Sequence, residues 1–330
     1  MSDTAGTGQG AEGDRVGSDP LTSAEVADEV GLSLANARRL WRALGFPEVG
    51  DEERFFDAED VHALTVLQEI TASGLVDFDL AVNLTRGMGQ AMARLSDYEV
   101  SALLHHIETL GGGGADGPRD TRQLLRAAVE IIDEFSDSFE ELMRYSWRRH
   151  MRAALARAEA SFAGTDEVGT VQLTVGFADI VSFTALSNTL TEEKIGDLVE
   201  LFESRCADVV AVQRGRVIKS LGDSVLFVND DAVRAYDTAE GIINVVGRDP
   251  RMPDVRVGLA SGSIVTRLGD VFGPPVNMAA RLTAVARRNR IIIDEATASA
   301  LPDDEFETRR MAARPVRGFG IVEPVAVRRS

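Results

Sequence analysis

The spacing of apolar residues changes along this chain, from a helical period in the first half to short strand-like runs in the second. Between residues 21 and 104 the apolar positions follow a helical period, which predicts helices joined by short turns. Beyond residue 165, strand-like and helical runs follow in the order β-α-β-β-α-β. This order is typical of a ferredoxin-like palm sheet with helices on one face. We therefore predict an α+β domain preceded by an all-α domain.

Four segments follow from this change and from the breaker residues along the chain. They are a disordered tail (1–20), an all-helical domain (21–140), a connector helix (141–165) and the α+β domain (166–330). Within the helical half, the pattern predicts separate helices over Asp79–Leu95 and Asp97–Leu110. It then predicts one or two long helices from Thr121 to about Ala160.

The composition is typical of a globular protein from a reducing compartment. Of the 330 residues, 44% are hydrophobic and only 6% are aromatic, so we expect cores built mainly from aliphatic side chains. The single cysteine, Cys206, excludes an internal disulfide, and its helical surroundings predict a small buried apolar residue. No apolar run reaches the length of about 18 residues that a membrane span needs, and the N-terminus lacks a secretory h-region. We therefore predict a cytoplasmic protein without a transmembrane segment.

Two aspartates, Asp179 and Asp223, follow apolar runs that end in tight turns. The first lies in Val175–Thr184 and the second in Val217–Phe227. A carboxylate at a strand end faces solvent or a metal ion, and two such strands side by side would form a site for a hard cation such as Mg²⁺ or Mn²⁺. For either aspartate alone, the ordinary alternative is a cap of a helix or a turn.

Three stretches of the second half together resemble the signatures of the class III nucleotidyl cyclases. They are Phe177–Thr184, Lys219–Asp223 and Asp270–Arg281, and the resemblance covers about residues 168–330. It implies that residues 166–330 form a cyclase catalytic domain and that the preceding helical domain is regulatory. It also implies that each site binds two divalent cations, Mg²⁺ or Mn²⁺.

The resemblance assigns these cations to Asp179 and Asp223, with the backbone carbonyl of Ile180 completing one coordination shell. The implied reaction is the attack of the ribose 3′-hydroxyl on the α-phosphorus of a nucleoside triphosphate, with loss of pyrophosphate. One cation lowers the pKa of the hydroxyl, and the other screens the triphosphate and the leaving group.

Lys219 and Asp270 resemble the residues with which this family reads the base. A lysine donor and an aspartate acceptor complement the N1 acceptor and the N6 donor of adenine, whereas guanine presents the opposite pattern. Each buried polar group left unpaired costs about 1–3 kcal/mol, so the pair favours ATP over GTP. We therefore expect an adenylate cyclase that forms 3′,5′-cyclic AMP from ATP.

Asn277 and Arg281 lie four positions apart, hence on one face of a helix that begins near Val276. In the family, the matching asparagine orients the ribose and the matching arginine stabilises charge on the α-phosphate in the transition state. Spacing alone would equally fit a solvent-facing polar stripe. Arg290 stands just before an apolar run, where family members hold the β- and γ-phosphates.

The family builds its sites between two catalytic domains placed head to tail. One protomer supplies the two metal-binding aspartates, and its partner supplies the base-reading pair together with the asparagine and the arginine. Because this chain carries both sets, the resemblance implies a symmetric homodimer with shared active sites.

All four histidines lie in the first 150 residues, and His105, His106 and His150 are the candidates for regulation. The layout resembles mycobacterial-type cyclases whose helical N-terminal domain inhibits the catalytic domain and releases it at acid pH. Histidine changes charge near neutral pH, so its protonation would alter how the Arg144–Arg157 helix docks. A proton or a lipid is therefore the expected regulatory ligand, and a solvated surface position is the ordinary alternative for each histidine.

A helix-turn-helix transcription regulator carrying an inactive cyclase-like domain is the alternative. Thr22–Leu44 resembles the helix-turn-helix of DNA-binding regulators, with Arg38, Arg39 and Arg42 on its second helix. Residues 1–160, however, carry 29 acidic residues against 15 arginines, a net charge of −14 (15 − 29). Because DNA phosphates repel such a surface, we expect no nucleic acid partner.

Overall fold

The computed structural model describes residues 19–111, 121–162, 170–267 and 269–330. Most of the predicted tail (1–20), the glycine-rich stretch at 112–120 and the predicted boundary at 165/166 lie outside the described residues. The chain divides into two compact units, residues 1–145 and 146–330.

The described part of the first unit is helical, apart from one isolated bridge between Leu21 and Phe56. Its elements are α1 (Ser23–Val30), α2 (Leu34–Leu44), α3 (Ala58–Ala72), α4 (Phe78–Gly111) and the first part of α5 (Thr121–Phe162). The division between the units falls within α5, at Tyr145. The described part of the predicted connector therefore belongs to one continuous helix.

Local signals define the ends of α1. Thr22 and Glu25 form a capping box, in which the Glu25 carboxylate accepts a hydrogen bond of 2.8 Å from the backbone N–H of Thr22. Gly31 ends the helix with a φ of 74°, a left-handed conformation that glycine adopts without strain. The small core beside this helix contains Trp41, whose ring stacks on Phe56 with centroids 4.2 Å apart.

The prediction of separate helices over Asp79–Leu95 and Asp97–Leu110 is wrong, because α4 runs without interruption from Phe78 to Gly111. Ser96 and Asp97 are only weak helix formers. Neither residue removes a backbone donor as proline does, so the helix continues through them.

The second unit has the predicted α+β architecture. Its first elements are β1 (Thr170–Ile180), α6 (Phe183–Ser187), α7 (Glu192–Val212), β2 (Arg216–Ser220), β3 (Ser224–Asn229), α8 (Ala232–Gly247) and β4 (Val255–Arg267). The remaining elements are β5 (Asp270–Phe272), α9 (Pro274–Val285), β6 (Ile291–Ile293), α10 (Glu295–Ala300), β7 (Phe306–Arg310), β8 (Arg314–Val316), β9 (Gly320–Val322) and β10 (Val325–Arg329).

The strands form a sheet in the order β2-β3-β1-β4-β6-β10-β7, with β5 paired to β4, while β8 and β9 pair separately. Neighbours among β2, β3, β1 and β4 are antiparallel, which confirms the predicted ferredoxin-like core. Gly222, with a φ of 73°, lies between β2 and β3 and forms the tight turn predicted before Asp223.

Apolar side chains cover both faces of this sheet. On one face α7 and α8 pack on the strands around Phe202 and Phe227, and Cys206 is buried there as predicted. On the other face α9 packs through Leu282 against Val175 and its neighbours. The expectation of helices on one face only is therefore wrong for α9.

Gly258 allows α9 to approach the sheet closely. A Cβ atom at this position of β4 would lie 2.4 Å from the backbone nitrogen of Thr283 and 2.5 Å from the carbonyl oxygen of Ala279. The hydroxyl of Thr283 also lies 3.2 Å from the carbonyl oxygen of Phe177 in β1. These contacts fix α9, which carries two of the predicted site residues, against the sheet.

Across the described residues, no helix combines the length and the apolar character that crossing a bilayer requires.

Candidate active site

The predicted metal ligands lie beside each other at one end of the sheet. Asp179 is the penultimate residue of β1, and Asp223 occupies the turn between β2 and β3. The strand register pairs Asp179 with Ser224, and the backbone N–H of Ile180 donates a hydrogen bond of 2.9 Å to the carbonyl oxygen of Asp223. The sheet thus brings together the three residues of the predicted metal site.

The electrostatics of this pair suit a cation. Burial raises the pKa of the Asp179 carboxyl, and the negative charge of Asp223 raises it further. The hydrogen bond and the positive charge of Arg256 lower this pKa but do not cancel the rise. A cation between the carboxylates would remove their repulsion. Two carboxylates and a backbone carbonyl are the oxygen donors that Mg²⁺ and Mn²⁺ prefer, so the residues present fit such ions.

The protein supplies few side-chain ligands to this site. Among the described residues, no three His, Cys, Asp or Glu side chains converge on one point. A cation here would therefore complete its shell with backbone oxygens, water or the phosphates of a substrate, which is how Mg²⁺ is usually bound in phosphoryl-transfer enzymes.

Arg256 is a site residue that the sequence analysis did not identify. Its Nε and Nη2 atoms lie 2.7 and 2.6 Å from Oδ2 of Asp179, directly across the β1–β4 pair. Its Nη1 donates a 3.2 Å hydrogen bond to the carbonyl oxygen of Ala284 in α9. A cation that binds Asp179 must share this carboxylate with the guanidinium or displace it. The signal in the sequence was an arginine inside the apolar run Val255–Ala260, since a partly buried charge needs a partner.

The predicted base-reading residues contact each other directly. Nζ of Lys219 in β2 lies 2.5 Å from Oδ2 of Asp270, the first residue of β5. The other carboxylate oxygen accepts a 2.8 Å hydrogen bond from the backbone N–H of Val271. The hydrogen bond from Lys219 holds the pKa of Asp270 below its usual value. The two side chains are 36% and 30% exposed, so a ligand can reach both.

Asn277 and Arg281 lie on the exposed side of α9, one turn apart, as predicted. The helix begins slightly earlier than expected, with Pro274 in its first turn. Among the described residues, neither side chain takes part in a hydrogen bond or an ion pair. Their polar groups are therefore available to a ligand.

The predicted residues form distinct groups within one chain. In the described part of the chain, no hydrogen bond or ion pair joins the Asp179–Asp223 pair to the Lys219–Asp270 pair. Arg290 lines a groove of about 600 Å³ whose other basic residues are Arg287, Arg309 and Arg328. None of the other predicted site residues lines that groove, and the contact of Arg290 with phosphates stays a prediction.

The histidines and arginines of the helical half are placed as follows. His105 and His106 lie on α4 and His150 lies on α5, and all three are exposed. The arginines proposed for DNA binding are all engaged in ion pairs with acidic residues of the same unit. These pairs are Arg38–Asp51, Arg39–Asp79 and Arg42–Glu48. Because acids already neutralise this helix, the structure does not favour the transcription regulator.

Comparisons with known proteins agree with the fold of the second unit and with the family that its sequence resembles. The profile of the adenylate and guanylate cyclase catalytic domain family matches residues 167–327. An adenylate cyclase of Glutamicibacter nicotianae is 35% identical over 91% of this chain and 76% of its own length. An adenylate cyclase of Streptomyces coelicolor is 34% identical over 96% of this chain and 95% of its own length. A pH-sensitive adenylate cyclase of Mycobacterium tuberculosis is 29% identical over 94% of this chain and 78% of its own length.

The chain belongs to the class III adenylate and guanylate cyclase family and, within that family, to the adenylate cyclases.

Proposed function

We propose that this protein converts ATP to 3′,5′-cyclic AMP and pyrophosphate. We choose ATP as the substrate because Lys219 and Asp270 form a direct ion pair in which both side chains are partly exposed. The lysine donor complements the N1 acceptor of adenine, and the aspartate acceptor complements the N6 donor. Guanine presents a donor and an acceptor in the opposite places. The names of the relatives from Glutamicibacter and Streptomyces support the same substrate.

The residues that would hold two divalent cations, Mg²⁺ or Mn²⁺, are Asp179, Asp223 and the carbonyl of Ile180. When bound, such cations would lower the pKa of the ribose 3′-hydroxyl and screen the negative charge of the triphosphate. The chain itself positions the ligands, because the β1–β3 register sets the two aspartates side by side and Arg256 orients the carboxylate of Asp179.

Asn277 and Arg281 would act on the ribose and the α-phosphate. The asparagine would orient the sugar, and the arginine would donate hydrogen bonds to oxygens whose negative charge grows in the transition state. Such a donor is worth about 10²–10³-fold in rate when it is held in place before the reaction. The close packing of α9 on Gly258 supports this role, since the helix cannot move far relative to the sheet.

Two copies of the chain would build each complete site. One copy would contribute Asp179 and Asp223, and the other would contribute the base-reading pair with Asn277 and Arg281. The absence of a hydrogen bond or ion pair between the two pairs, across the described residues, supports this division. The resulting homodimer is symmetric and has two equivalent sites.

A direct assay tests the reaction and the substrate. The purified full-length protein with Mn²⁺ and ATP is expected to form cyclic AMP and pyrophosphate in equal amounts. With GTP, kcat/KM should fall by at least ~100-fold, because guanine presents a donor where the lysine donates and an acceptor where the aspartate accepts. Chromatography of the products measures both rates. Equal use of GTP would refute the choice of substrate, and the absence of any cyclic nucleotide would refute the reaction.

We further propose that the helical domain regulates the enzyme and that protons are its signal. His105, His106 and His150 are exposed on α4 and α5, so solvent can reach all three side chains. The pH-sensitive relative from Mycobacterium supports this proposal. The cavity beside Trp41 and Phe56 measures about 10 Å³, which is room for a single water molecule and not for an acyl chain, so this cavity is not a lipid site.

Replacing these three histidines together by glutamine tests the proton signal. The wild-type protein is expected to be more active at acid pH than at neutral pH, and the triple variant should lose most of that difference because glutamine carries no charge at either pH. Cyclic AMP formation by the full-length proteins, measured across this pH range, checks the prediction. His62→Gln, an exposed histidine of α3, is the matched control. A triple variant with the wild-type pH profile would contradict the proposal.

A further inference from the structure

The backbone carbonyl of Ile180, the third predicted metal ligand, shares one peptide unit with the N–H of Val181. This peptide bond is trans. In a trans peptide the C=O and the N–H lie in one plane and point in opposite directions. The contact that holds the N–H of Val181 therefore also sets the direction of the Ile180 carbonyl.

A single backbone hydrogen bond holds this N–H. Val181 donates it to the carbonyl oxygen of Asp254 over 2.9 Å, which continues the β1–β4 pairing one residue beyond Ile180. The N–H of Ile180 points the other way and donates to the carbonyl oxygen of Asp223. Because the N–H and the C=O of a strand residue point to the same side of the strand, the Ile180 carbonyl faces the side on which Asp223 lies.

Asp254 precedes β4, and a side chain from another loop fixes it. Asn289 lies between α9 and β6, and its Nδ2 donates a 2.7 Å hydrogen bond to Oδ1 of Asp254. Its Oδ1 accepts a 3.2 Å hydrogen bond from the N–H of Val255. Its own backbone N–H donates to the carbonyl oxygen of Val255 over 2.7 Å. These contacts fasten Asn289 to the chain at the start of β4.

The surroundings of Asn289 make it the main support of the Asp254 side chain. Asn289 is half-buried and Val255 is buried, so water competes little for their hydrogen bonds. Arg288 adds little to the hold on Asp254, because its Nη1 lies 3.7 Å from Oδ2 and its side chain is 71% exposed.

We infer that Asn289 is a positioning residue for the metal site. Its amide holds Asp254, and the carbonyl of Asp254 holds the N–H of Val181. This N–H in turn directs the carbonyl of Ile180. The inference rests on the proposed role of Ile180 in binding a cation, and it adds to the site a residue from the loop after α9. Residues that orient metal ligands in this indirect way typically contribute about 10–100-fold to metal affinity.

The ordinary alternative is that Asn289 only satisfies the conformation of its loop. Its φ is 53°, in the left-handed region that asparagine tolerates better than most residues. Glycine adopts this conformation without strain. Asn289→Gly therefore keeps the backbone and removes both side-chain hydrogen bonds, so it separates the two explanations.

The glycine variant is tested in the full-length protein. Without metal, hydrogen exchange of the Val181 amide should be at least ~10-fold faster than in the wild type, because the acceptor of this amide is no longer fixed. Mass spectrometry with fragmentation measures this rate. Binding of Mn²⁺ without nucleotide, followed by electron paramagnetic resonance, should weaken by about 10-fold. The Mn²⁺ concentration for half-maximal activity should rise by a similar factor, while kcat at saturating Mn²⁺ stays within about 3-fold of wild type.

The matched control is Arg214→Gly. Arg214 belongs to the same unit, is exposed and has a φ of 54°, so this variant also replaces a left-handed residue by glycine. It should leave the exchange rate and the Mn²⁺ affinity within about 2-fold of wild type.

Exchange of the two side chains gives a second test that preserves the net charge. Asn289→Asp alone sets two carboxylates against each other and should speed exchange of the Val181 amide as the glycine variant does. Adding Asp254→Asn restores one amide donor facing one carboxylate, so the exchange rate should return to within about 3-fold of wild type.

A glycine variant with the wild-type exchange rate would overturn the inference. Faster exchange with unchanged Mn²⁺ binding would also overturn it, because the metal ligand would then not depend on this contact. So would equal effects of Arg214→Gly, or a double variant that does not recover.

The outcome is separable from that of the proposed function. If the wild-type protein binds Mn²⁺ but forms no cyclic nucleotide, the proposed function fails. The effects of Asn289→Gly on amide exchange and on Mn²⁺ binding still decide the inference in that case.

Discussion

Replacing Asp223 by asparagine is expected to reduce cyclic AMP formation by at least ~10³-fold, or about 4 kcal/mol of transition-state stabilisation. The substitution keeps the shape of the side chain but removes the charge with which it would hold a cation beside Asp179. The backbone contact survives, because Ile180 donates its hydrogen bond to the carbonyl oxygen of residue 223 and not to its side chain. Activity is measured with saturating Mn²⁺ and ATP.

Two controls separate a catalytic effect from a structural one. Asp303→Asn removes an exposed aspartate elsewhere on the same unit and should leave the rate within about 2-fold of wild type. Binding of Mn²⁺ in the absence of nucleotide, followed by electron paramagnetic resonance, should be weakened in the Asp223 variant alone. A variant that retains a tenth or more of the wild-type rate, while keeping its melting temperature, would rule out a metal-binding role for this carboxylate.

The parts of this protein that could be predicted from its sequence depend on signals only a few residues long. The tight turn before Asp223 and the spacing of Asn277 and Arg281 each lie within one hairpin or one turn of helix. The β-α-β-β-α-β core followed from the periods of its elements. The resemblance to a known family then indicated roles that spacing alone left open.

The contacts that were missed depend on residues far apart in the sequence. Arg256 meets Asp179 across 77 positions, through a β1–β4 register that no local pattern specifies. The face of the sheet on which α9 packs depends on the close approach at Gly258, which is visible only once the strand and the helix are in place. In the same way, apolar spacing predicts one or two long helices from Thr121 to about Ala160 but does not tell that they are the single helix α5.

The continuity of α4 shows a different limit on the prediction of helix boundaries from sequence. Ser96-Asp97 resembles the start of a new helix, because serine and aspartate favour N-caps. A cap signal, however, competes with continuation of the helix and prevails only where the chain also turns. No glycine or proline adjoins Ser96-Asp97, so the helix continues.

Mixing two inactive variants is expected to restore activity, because the proposed site is shared between two chains. Asp223→Asn removes a metal ligand, and Arg281→Ala removes the transition-state donor that would come from the other chain. Each variant alone should be nearly inactive, since both of its sites carry the defect. A mixed dimer has one site with both defects and one site with none. Random pairing of equal amounts makes half of all dimers mixed, so about a quarter of the wild-type activity should return.

The control mixture combines defects from the same half of the site. Asp179→Asn and Asp223→Asn would both damage the metal half, so every site of a mixed dimer carries one defect and no activity should return. Co-expression with two different affinity tags and sequential purification gives defined mixed dimers, and cyclic AMP formation is then measured per dimer. Purified mixed dimers of the first pair should reach about half of the wild-type activity, because one of their two sites is intact. If the first mixture stays as inactive as its components, each chain must build its site alone. Recovery in the first mixture and none in the control would mean that the two aspartates act on substrate held by the other chain. Asp179 and Asp223 would then belong to one half of the site and Arg281 to the other half.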